Sequence, residues 1–260
     1  MSLEPRQPVA LVTGGMRGIG AAIRDALLER GYRVIVADIS VSGAASGRLS
    51  SLPEAVTRVE CDVSDAASVA AAIRAVEGLT DRLDALVNNA GVGSARRSAD
   101  LSEADWSRVM DINAGGMYRM SRASYPLLKT AGRSSITSIT SINAHMGVPG
   151  RLAYSASKAA MEAMTRVLAV EWAPAGIRVN AVAPGYTDTE MGREIAANGI
   201  ADVEARAARA LVGRYAEPAE IGRIVAWLAG ADASYISGQV IVADAGLLIN
   251  GRHGRDATFE

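Results

Sequence analysis

Seven short apolar runs, spaced along the chain with longer stretches between them, constrain the fold more than any other feature of this sequence. Ala-rich segments with helical spacing, such as GAAIRDALLERG and ASVAAAIRAVEGL, separate some of the runs. Strands that alternate with helices pair in parallel through right-handed crossovers, and nearly continuous apolar runs suit a sheet covered on both faces. The sequence therefore predicts an α/β fold, a doubly wound parallel sheet of about seven strands. The runs are PVALVTGG, RVIVADIS, TRVECDVS, LDALVNNAG, SSITSITS, IRVNAVAPG and GQVIVADAG.

The length and composition favour one domain. With 260 residues, 49% of them hydrophobic and 21% charged, the chain can bury a large core. No repeat of solenoid length and no Pro- or Ser-rich linker divides it. We therefore predict a single domain over residues 1–260, with a C-terminal tail at about 251–260.

The segment at about 187–215 interrupts the alternation, because it carries two helical patterns around AANGIADVE. In a doubly wound sheet, an insertion beyond the carboxyl end of a strand lies over the ligand crevice. We expect a small helical lid over the substrate here. An ordinary pair of surface helices is the alternative.

Charge, hydropathy and cysteine content exclude several classes of partner. The formal net charge of -1, without blocks of like charge, gives no footprint for nucleic acid or an anionic membrane. No run has the length of a membrane span, and the first residues lack the regions of a secretory signal. Cys61 is the single cysteine, which fits a core thiol in a reducing cytoplasm. We expect a cytoplasmic protein with a small-molecule partner and, lacking metal-ligand spacing, no metal site.

The glycine-rich loop TGGMRGIG directly follows the first predicted strand and precedes a helix. Gly14 can form the tight turn, while Gly18 and Gly20 allow the backbone and the helix N-terminus to approach a pyrophosphate. A glycine-rich turn without a ligand is the alternative, but this context is the one that dinucleotide binding requires.

Asp38 ends the second predicted strand, about twenty residues after the glycine loop. A carboxylate at this point accepts hydrogen bonds from the adenosine ribose and repels a 2′-phosphate, so it favours NAD over NADP. Arg17 points the other way, since an arginine in the loop can pair with that phosphate. We give more weight to Asp38 and predict NAD as the cofactor, with NADP used poorly.

Two further strand ends carry polar or small residues. In CDVSD, Asp62 and the Val63 N–H can meet the adenine, although Asp62 and Asp65 also suit a turn and a helix cap, and capping suits Asp65 better. In NNAG, asparagine side chains can satisfy loop backbone while Gly91 admits a close nucleotide, but a simple turn would have the same composition.

Tyr154 and Lys158 stand four residues apart at the start of a predicted helix. A nearby ammonium stabilises a phenolate and lowers its pKa from about 10, which favours proton transfer near neutral pH. Ser141 ends the fifth predicted strand and can donate a hydrogen bond to a substrate oxygen, whereas Ser138 and Thr140 suit the strand ladder. A solvated helix face is the alternative for the Tyr–Lys pair.

Together these motifs make the chain resemble a short-chain dehydrogenase/reductase over roughly residues 7–246. The resemblance is carried by TGGMRGIG, NNAG, Asn113 in MDINAGG, Ser141, YSASK, and NAVAPG ending at Gly185. It implies a single-domain Rossmann-type fold, usually with seven parallel strands. It also implies a homotetramer built partly through the helices that bear Asn113 and Tyr154.

The resemblance implies roles for four catalytic residues, Asn113, Ser141, Tyr154 and Lys158. Tyr154 is the general acid/base, Ser141 orients and polarises the reacting oxygen, and Lys158 lowers the phenol pKa and binds ribose. Asn113 bends its helix and holds a water that links Lys158 to solvent; a buried asparagine bonding its own backbone is the alternative.

The nicotinamide pocket is expected around Pro184 and Gly185, with Thr189 at the carboxamide. At Thr187 a backbone contact is plausible, and the role of its side chain is doubtful. The complete set of expected cofactor contacts is Gly14, Arg17, Gly18, Ile19, Gly20, Asp38, Asp62, Val63, Asn89, Ala90, Gly91, Tyr154, Lys158, Pro184, Gly185, Thr187 and Thr189.

The substrate pocket is less constrained. For Arg96, Arg97 and Arg151 we favour a solvated position over pairing with a substrate anion. Asn143 and His145 either line the pocket or serve their own loop. We expect the tryptophans to pack helices and no aromatic-lined pocket to form, which disfavours large planar substrates.

The leading functional prediction is an NAD-dependent oxidoreductase acting on small secondary alcohols, polyols or sugars. A 3-oxoacyl thioester reductase is the rival within the family, against which Asp38 argues because many such relatives use NADPH. A sensor or scaffold that binds NAD without turnover is the non-enzymatic alternative, and loss of a catalytic residue would favour it. All four are present.

Overall fold

The structure, a computed structural model, describes residues 6–39, 56–190 and 203–250. Within these ranges seven parallel strands form one sheet, in the order β3-β2-β1-β4-β5-β6-β7. Each strand falls on one of the seven predicted runs, with β3 beginning one residue before its run, so the predicted fold class is confirmed. The strands are β1 Val9–Thr13, β2 Arg33–Asp38, β3 Val56–Glu60, β4 Ala85–Asn88, β5 Ser134–Ile139, β6 Ile177–Pro184 and β7 Val240–Ala243.

Helices connect the strands, and their ends are set by local side chains. Asp65 caps α2 by accepting hydrogen bonds from the N–H groups of Ala67 and Ser68, as predicted from its helix-cap position. Glu217 and Glu220 form a capping box at the start of α7. The helices are α1 Gly18–Glu29, α2 Ala66–Glu77, α3 Glu103–Met110, α4 Gly116–Ala131, α5 Leu152–Trp172, α6 Val203–Ala207 and α7 Pro218–Ala229.

Both faces of the sheet are buried, because alternate residues of each strand point to opposite sides. From β1, Ala10 and Val12 pack with α1 and α7, whereas Leu11 packs with α2, α4 and α5 on the other face. The fully buried Leu11 and Val12 show that neither face meets solvent at β1.

The strand order reverses at β1, which pairs with β2 on one side and with β4 on the other. In an open parallel sheet, the connections that follow the two strands at such a reversal run in opposite directions. A crevice therefore opens at the carboxyl ends of the two strands. The glycine loop follows β1 and the NNAG loop follows β4. The topology therefore brings both motifs to the edges of one crevice.

Two predicted features fall partly or wholly outside the described residues. The predicted lid at 187–215 includes 191–202, and the predicted tail at 251–260 is not described at all. The described helices include none long and apolar enough to cross a bilayer. Among the same residues, no group of three or more His, Cys, Asp or Glu side chains is placed to hold a metal ion.

Candidate active site

A cleft of about 660 Å³ lies at the carboxyl ends of the strands. All the residues expected to contact the cofactor line it, together with Ser141. Asn113 does not line the cleft and lies behind it, next to Gly91. The structure thus brings the predicted nucleotide and reacting residues into one continuous space.

The glycine loop packs tightly against the start of α1. A Cβ atom at Gly20 would collide with the carbonyl oxygen of Gly14, so the loop can lie against the helix only with glycine there. Gly18 has a φ of 54°, and the nearest atoms to a Cβ on it would belong to Thr189, 3.8 Å away across the cleft. No described side chain caps the N-terminus of α1 at Arg17. Its first N–H groups therefore remain available to an anionic ligand.

Asp38 and Arg17 stand at the glycine-loop end of the cleft, but they are engaged differently. Asp38 Oδ2 accepts a 3.2 Å hydrogen bond from the Met16 N–H, which ties the end of β2 to the loop. Arg17 Nη1 lies 3.5 Å from Glu190 Oε2, and both side chains are mostly exposed. The carboxylate is therefore anchored by the backbone, while the arginine belongs to a solvent-screened surface pair.

Asp62 forms a local turn. Its Oδ1 accepts hydrogen bonds from the Ser64 N–H at 2.9 Å and the Ser64 hydroxyl at 2.6 Å, and these bonds hold the pKa of Asp62 below its usual value. This is the turn alternative that the sequence left open. Asp62 still lines the cleft beside Val63, so the turn places it there without excluding a ligand contact.

The NNAG loop is joined to the glycine loop. Asn89 Nδ2 donates to the carbonyl oxygens of Thr13 and Gly14 at 3.0 and 2.9 Å. The Thr13 hydroxyl oxygen accepts from the N–H groups of Asn89 and Ala90, both at 3.0 Å. Four hydrogen bonds thus hold the two edges of the crevice at a fixed separation.

Tyr154 lies in the first turn of α5, which begins two residues earlier than predicted, at Leu152. Lys158 follows one turn later and is only 4% exposed. Its ammonium lies 5.6 Å from the centre of the Tyr154 ring and donates a 2.7 Å hydrogen bond to the Ile139 carbonyl oxygen. Burial lowers the pKa of Lys158 to about 8.

The pKa of Tyr154 is raised from its ordinary value, because burial disfavours the phenolate. A hydrogen bond from Ser141 and the positive charge of Arg151 act in the opposite direction. The sequence predicted a net lowering caused by Lys158, and this direction is wrong for the structure. The reason is that desolvation outweighs the stabilising groups, and that the lysine is held beside the ring by a backbone carbonyl.

Ser141 stands directly after β5 with extended backbone. Its Oγ accepts a 3.1 Å hydrogen bond from the Asn143 N–H, which leaves the hydroxyl proton free to point toward Tyr154. The other hydroxyls of SITSITS are structural, as expected. Thr140 Oγ1 donates to the Val182 carbonyl at 3.1 Å, and Ser138 Oγ accepts from Asn88 Nδ2 at 3.4 Å.

Asn113 lies in a π-helical turn, Asp111–Gly115, between α3 and α4. Its side chain accepts a 2.8 Å hydrogen bond from the Val92 N–H and donates to the Val92 carbonyl at 3.0 Å. It also donates to Ser157 Oγ at 2.9 Å. Asn113 therefore joins the loop after β4 to α5, and it does not satisfy its own backbone.

The predictions for the substrate end were partly wrong. Arg151 is not solvated: it is 8% exposed, lines the cleft and donates a 2.9 Å hydrogen bond to the Ser94 carbonyl. Arg96 and Arg97 are exposed, as expected. Asn143 lines the cleft, whereas His145 Nε2 lies 2.9 Å from the Glu162 carboxylate.

Aromatic residues do line the pocket, contrary to expectation. Tyr186 and Tyr215 stack with ring centres 5.4 Å apart, and the Arg206 guanidinium lies 5.2 Å from the Tyr186 ring centre. All three side chains border the cleft. The position of Tyr186, directly after Gly185, was a usable signal that the sequence analysis missed. Tyr215 and Arg206 carry no comparable motif.

Comparison with known proteins places these features in a family. A family model described as enoyl-(acyl carrier protein) reductase matches residues 14–248. The uncharacterized short-chain type dehydrogenase/reductase y4vI of Sinorhizobium fredii is 39% identical over 92% of this chain, and the match spans only 43% of that protein. Cis-4-hydroxycyclohexanecarboxylate dehydrogenase of Sinomonas cyclohexanicum is 37% identical over 92% of this chain and 95% of its own length. D-threitol dehydrogenase of Mycolicibacterium smegmatis is 37% identical over 93% of each chain.

Solved structures give the same result. Aldohexose dehydrogenase of Thermoplasma acidophilum superposes with a TM-score of 0.87 at 30% identity, covering 97% of this chain and 98% of that chain. The RhlG/NADP complex of Pseudomonas aeruginosa superposes with a TM-score of 0.84 at 32% identity, covering 93% and 96%. The chain belongs to the short-chain dehydrogenase/reductase family, whose members are oxidoreductases that bind a nicotinamide cofactor.

Proposed function

We propose that this protein is an NAD-dependent oxidoreductase that transfers hydride between a secondary alcohol and the nicotinamide, with Tyr154 as the acid/base. One observation carries the proposal. The Tyr154 phenol is half-buried and hydrogen-bonded to Ser141 in the same cleft that the glycine loop borders. A proton donor and an oxygen-binding hydroxyl thus stand next to a nucleotide-shaped space.

The residues of the cleft fit a nicotinamide dinucleotide. The uncapped N-terminus of α1 would hold the pyrophosphate, and Asp38 would accept from the adenosine ribose hydroxyls. Lys158 would bind the nicotinamide ribose, and Pro184, Gly185 and Thr189 would border the ring. When bound, the nicotinamide supplies the acceptor or donor of a hydride.

Residues of the chain transfer the proton of the reacting hydroxyl group. In oxidation, Tyr154 as phenolate takes the hydroxyl proton while the C–H electron pair leaves as hydride and the carbon–oxygen double bond forms. In reduction, the neutral phenol returns a proton to the oxygen. Ser141 holds that oxygen in both directions by donating a hydrogen bond, which stabilises the alkoxide-like charge as it develops.

Lys158 and Asn113 act behind the phenol. The Lys158 pKa of about 8 allows it to exchange a proton near neutral pH, and its hydrogen bond to the Ile139 carbonyl holds the ammonium beside the phenol ring. Asn113 would hold a water that links Lys158 to solvent. Its bonds to Val92 and Ser157 keep the two sides of that path together.

For the substrate we propose a small secondary alcohol, a polyol, a sugar or a cyclic alcohol. The names of the relatives, which include a threitol, an aldohexose and a hydroxycyclohexanecarboxylate dehydrogenase, support this class. The alternative is a 3-oxoacyl thioester reductase, which the name of another relative supports: the 3-oxoacyl-[acyl-carrier-protein] reductase FabG of Thermotoga maritima is 34% identical over 96% of this chain. Asp38 favours NAD over NADP, and the NADP complex of RhlG makes this choice a point to test.

We also propose a homotetramer that acts in the cytoplasm. Val167 and Val170 are 54% and 77% exposed on α5, the helix that bears Tyr154. Two neighbouring apolar side chains on one helix face favour contact with another subunit. The non-enzymatic alternative, an NAD sensor, is disfavoured because Tyr154, Ser141 and Lys158 are all in place.

Kinetic assays of the purified protein test the proposal. NADH and NADPH formation would be followed across a panel of secondary alcohols, polyols, aldoses and cyclic alcohols, and NADH and NADPH consumption with 3-oxoacyl thioesters. We expect turnover with an alcohol and NAD. Activity confined to thioesters and NADPH would favour the rival reductase, and cofactor binding without turnover on any compound would favour the sensor.

A further inference from the structure

Arg151 is a buried cation at the reacting end of the cleft. Its side chain is 8% exposed, and one guanidinium nitrogen donates to the Ser94 carbonyl at 2.9 Å. Among the described residues, the carboxylates that line the cleft are Asp38, Asp62 and Glu190. The first two follow β2 and β3 at the nucleotide end, and Glu190 pairs with Arg17. No described carboxylate therefore forms an ion pair with Arg151.

A guanidinium in this setting is costly unless something pairs with it. Removing a cation from water carries a large desolvation cost, and a single neutral carbonyl satisfies one of its five N–H groups. Burial lowers the pKa of Arg151, and the nearby charge of Arg206 lowers it further. The reacting end of the cleft thus concentrates positive charge beside Tyr154.

Arg206 is the second cation of this end. It lies on α6 and lines the cleft, and its guanidinium lies 5.2 Å from the centre of the Tyr186 ring. Tyr186 stacks in turn on Tyr215 at an interplanar angle of 26°. The Tyr186 ring, which is backed by Tyr215, therefore holds Arg206 at the cleft, since a cation gains energy against a ring face.

We propose that the substrate carries a carboxylate, which Arg151 binds with help from Arg206 while the reacting hydroxyl lies at Tyr154 and Ser141. This inference rests on the proposed oxidoreductase function and narrows its substrate to hydroxy acids and the matching oxo acids. A planar guanidinium offers a carboxylate two parallel N–H donors, which fixes orientation as well as charge. The stacked tyrosines would border the carbon skeleton between the two ends.

Matched compounds test the charge requirement. The substrate pair is a hydroxycyclohexanecarboxylate and its methyl ester, which share the ring and the hydroxyl and differ in the anion. A cyclic or sugar alcohol bearing phosphate forms a third arm, because a guanidinium also binds phosphate. We expect kcat/KM to be about ten- to a hundredfold higher for the carboxylate than for the ester, as expected for one charge-assisted contact, and low for the phosphate.

Substitutions of single arginines show which side chain causes the preference for the carboxylate. Arg151→Gln should reduce the ratio of kcat/KM for the carboxylate over the ester roughly ten- to a hundredfold, so that the preference disappears, because the anion contact is lost for the carboxylate alone while the loss of positive charge near Tyr154 affects both compounds alike. Arg206→Gln should give a smaller loss of the same kind, and it keeps the test available if Arg151→Gln does not fold. Arg223→Gln, which changes an exposed arginine on α7 outside the cleft lining, is the matched control and should behave as wild type.

A binding assay separates this inference from the proposed function. Cyclohexanecarboxylate lacks the reacting hydroxyl, so its affinity for the NADH-loaded protein, measured by calorimetry, reports on the anion site alone. If wild type binds cyclohexanecarboxylate, Arg151→Gln abolishes that binding, and wild type turns over no alcohol, then the anion site is retained and the oxidoreductase proposal is overturned. Equal turnover of acid and ester, or carboxylate affinity that neither arginine variant changes, would overturn the inference. A preference for the phosphate compound would overturn the carboxylate assignment.

Discussion

The Lys158 ammonium lies 5.6 Å from the centre of the Tyr154 ring, beside its face. Its shortest hydrogen bond goes to a backbone carbonyl, and the groups that oppose the raised pKa of the phenol are Ser141 and Arg151. Burial is the larger effect, so Tyr154 is a neutral phenol near pH 7. It is therefore ready to donate a proton, as reduction requires. As a base in oxidation it needs the cations around it.

Replacing Tyr154 with phenylalanine should remove the proton donor and preserve the shape of the cleft. For Tyr154→Phe we expect turnover to fall by about 10²- to 10⁴-fold, the usual contribution of a positioned acid/base. NADH affinity, measured by fluorescence titration, should change by less than about twofold. Tyr235→Phe is the matched control, because Tyr235 is fully exposed and should keep wild-type turnover. Turnover of the Tyr154 variant within tenfold of wild type would remove the central role assigned to the phenol.

The buried lysine should make stability depend on pH. The pKa of Lys158 is about 8 in the folded protein against 10.5 unperturbed, so between these values the unfolded chain binds more protons. Stability therefore rises with pH through this window and is lowest below about pH 8. Between about pH 8 and about pH 9.5, we expect the unfolding free energy of wild type to rise by roughly 2 kcal/mol relative to that of Lys158→Met.

Urea denaturation at these two pH values measures the difference. The chain has one other lysine, Lys129, which is exposed on α4. Lys129→Met is therefore a matched control, and its curve should follow that of wild type at both pH values. If wild type and the Lys158 variant changed in parallel with pH, the lysine would not titrate in this window.

The sequence was sufficient for the sheet and for the residues at strand ends. Buried parallel strands produce apolar runs that can be read directly, and their carboxyl ends share one edge of the sheet. Once the strands were placed, Asp38, Asn89 and Ser141 had to converge on one crevice. Asp65 was predictable as a helix cap because its partners, the N–H groups of Ala67 and Ser68, lie only two and three residues further along the chain.

The environment of the substrate end was not predictable, because it depends on contacts between distant segments. Arg151 is three residues from Tyr154, yet its burial depends on the Ser94 carbonyl, 57 positions earlier. Tyr186 lies in the cleft partly through its stacking on Tyr215. The direction of the Tyr154 pKa shift likewise required the degree of burial, which spacing along a helix does not contain.

Asp38 should determine the choice between NAD and NADP. In Asp38→Ser the repulsion of a 2′-phosphate is removed while the exposed Arg17 remains to pair with it. We expect the ratio of kcat/KM for NAD over NADP to fall by at least about tenfold, equivalent to roughly 1.4 kcal/mol. Adding Arg17→Gln should reverse the gain with NADP. If Asp38→Ser alone left kcat/KM for NADP unchanged, the carboxylate would not determine cofactor choice.

Asn113 should act as a positioning residue. Asn113→Ala leaves the partly buried N–H and carbonyl groups of Val92 without their side-chain partner, so we expect roughly 1 kcal/mol or more of lost stability. Turnover should fall more than cofactor affinity, because the path behind Lys158 is disturbed and the cleft lining is kept. Ser157→Ala is the matched control, since it removes one of the three Asn113 bonds, together with the Ser157 bond to the Tyr154 carbonyl, and keeps both bonds to Val92. Thermal unfolding measures the stability loss, and kcat and KM measured separately show whether turnover falls more than affinity. Equal losses of turnover in Asn113→Ala and Ser157→Ala would contradict the positioning role of Asn113.

The exposed valines of α5 should mediate subunit contact. Val170 is 77% exposed and lies one turn from Val167, so a charge there would be buried without a partner if this face meets another subunit. We expect Val170→Glu to sediment as a smaller species than wild type in analytical ultracentrifugation, with an unchanged circular dichroism spectrum. Leu79→Glu is the control, because Leu79 is a partly exposed leucine that follows α2 on another surface. Since α5 also bears Tyr154 and Lys158, loss of assembly should lower turnover too. A Val170 variant that sediments as wild type would place the interface elsewhere.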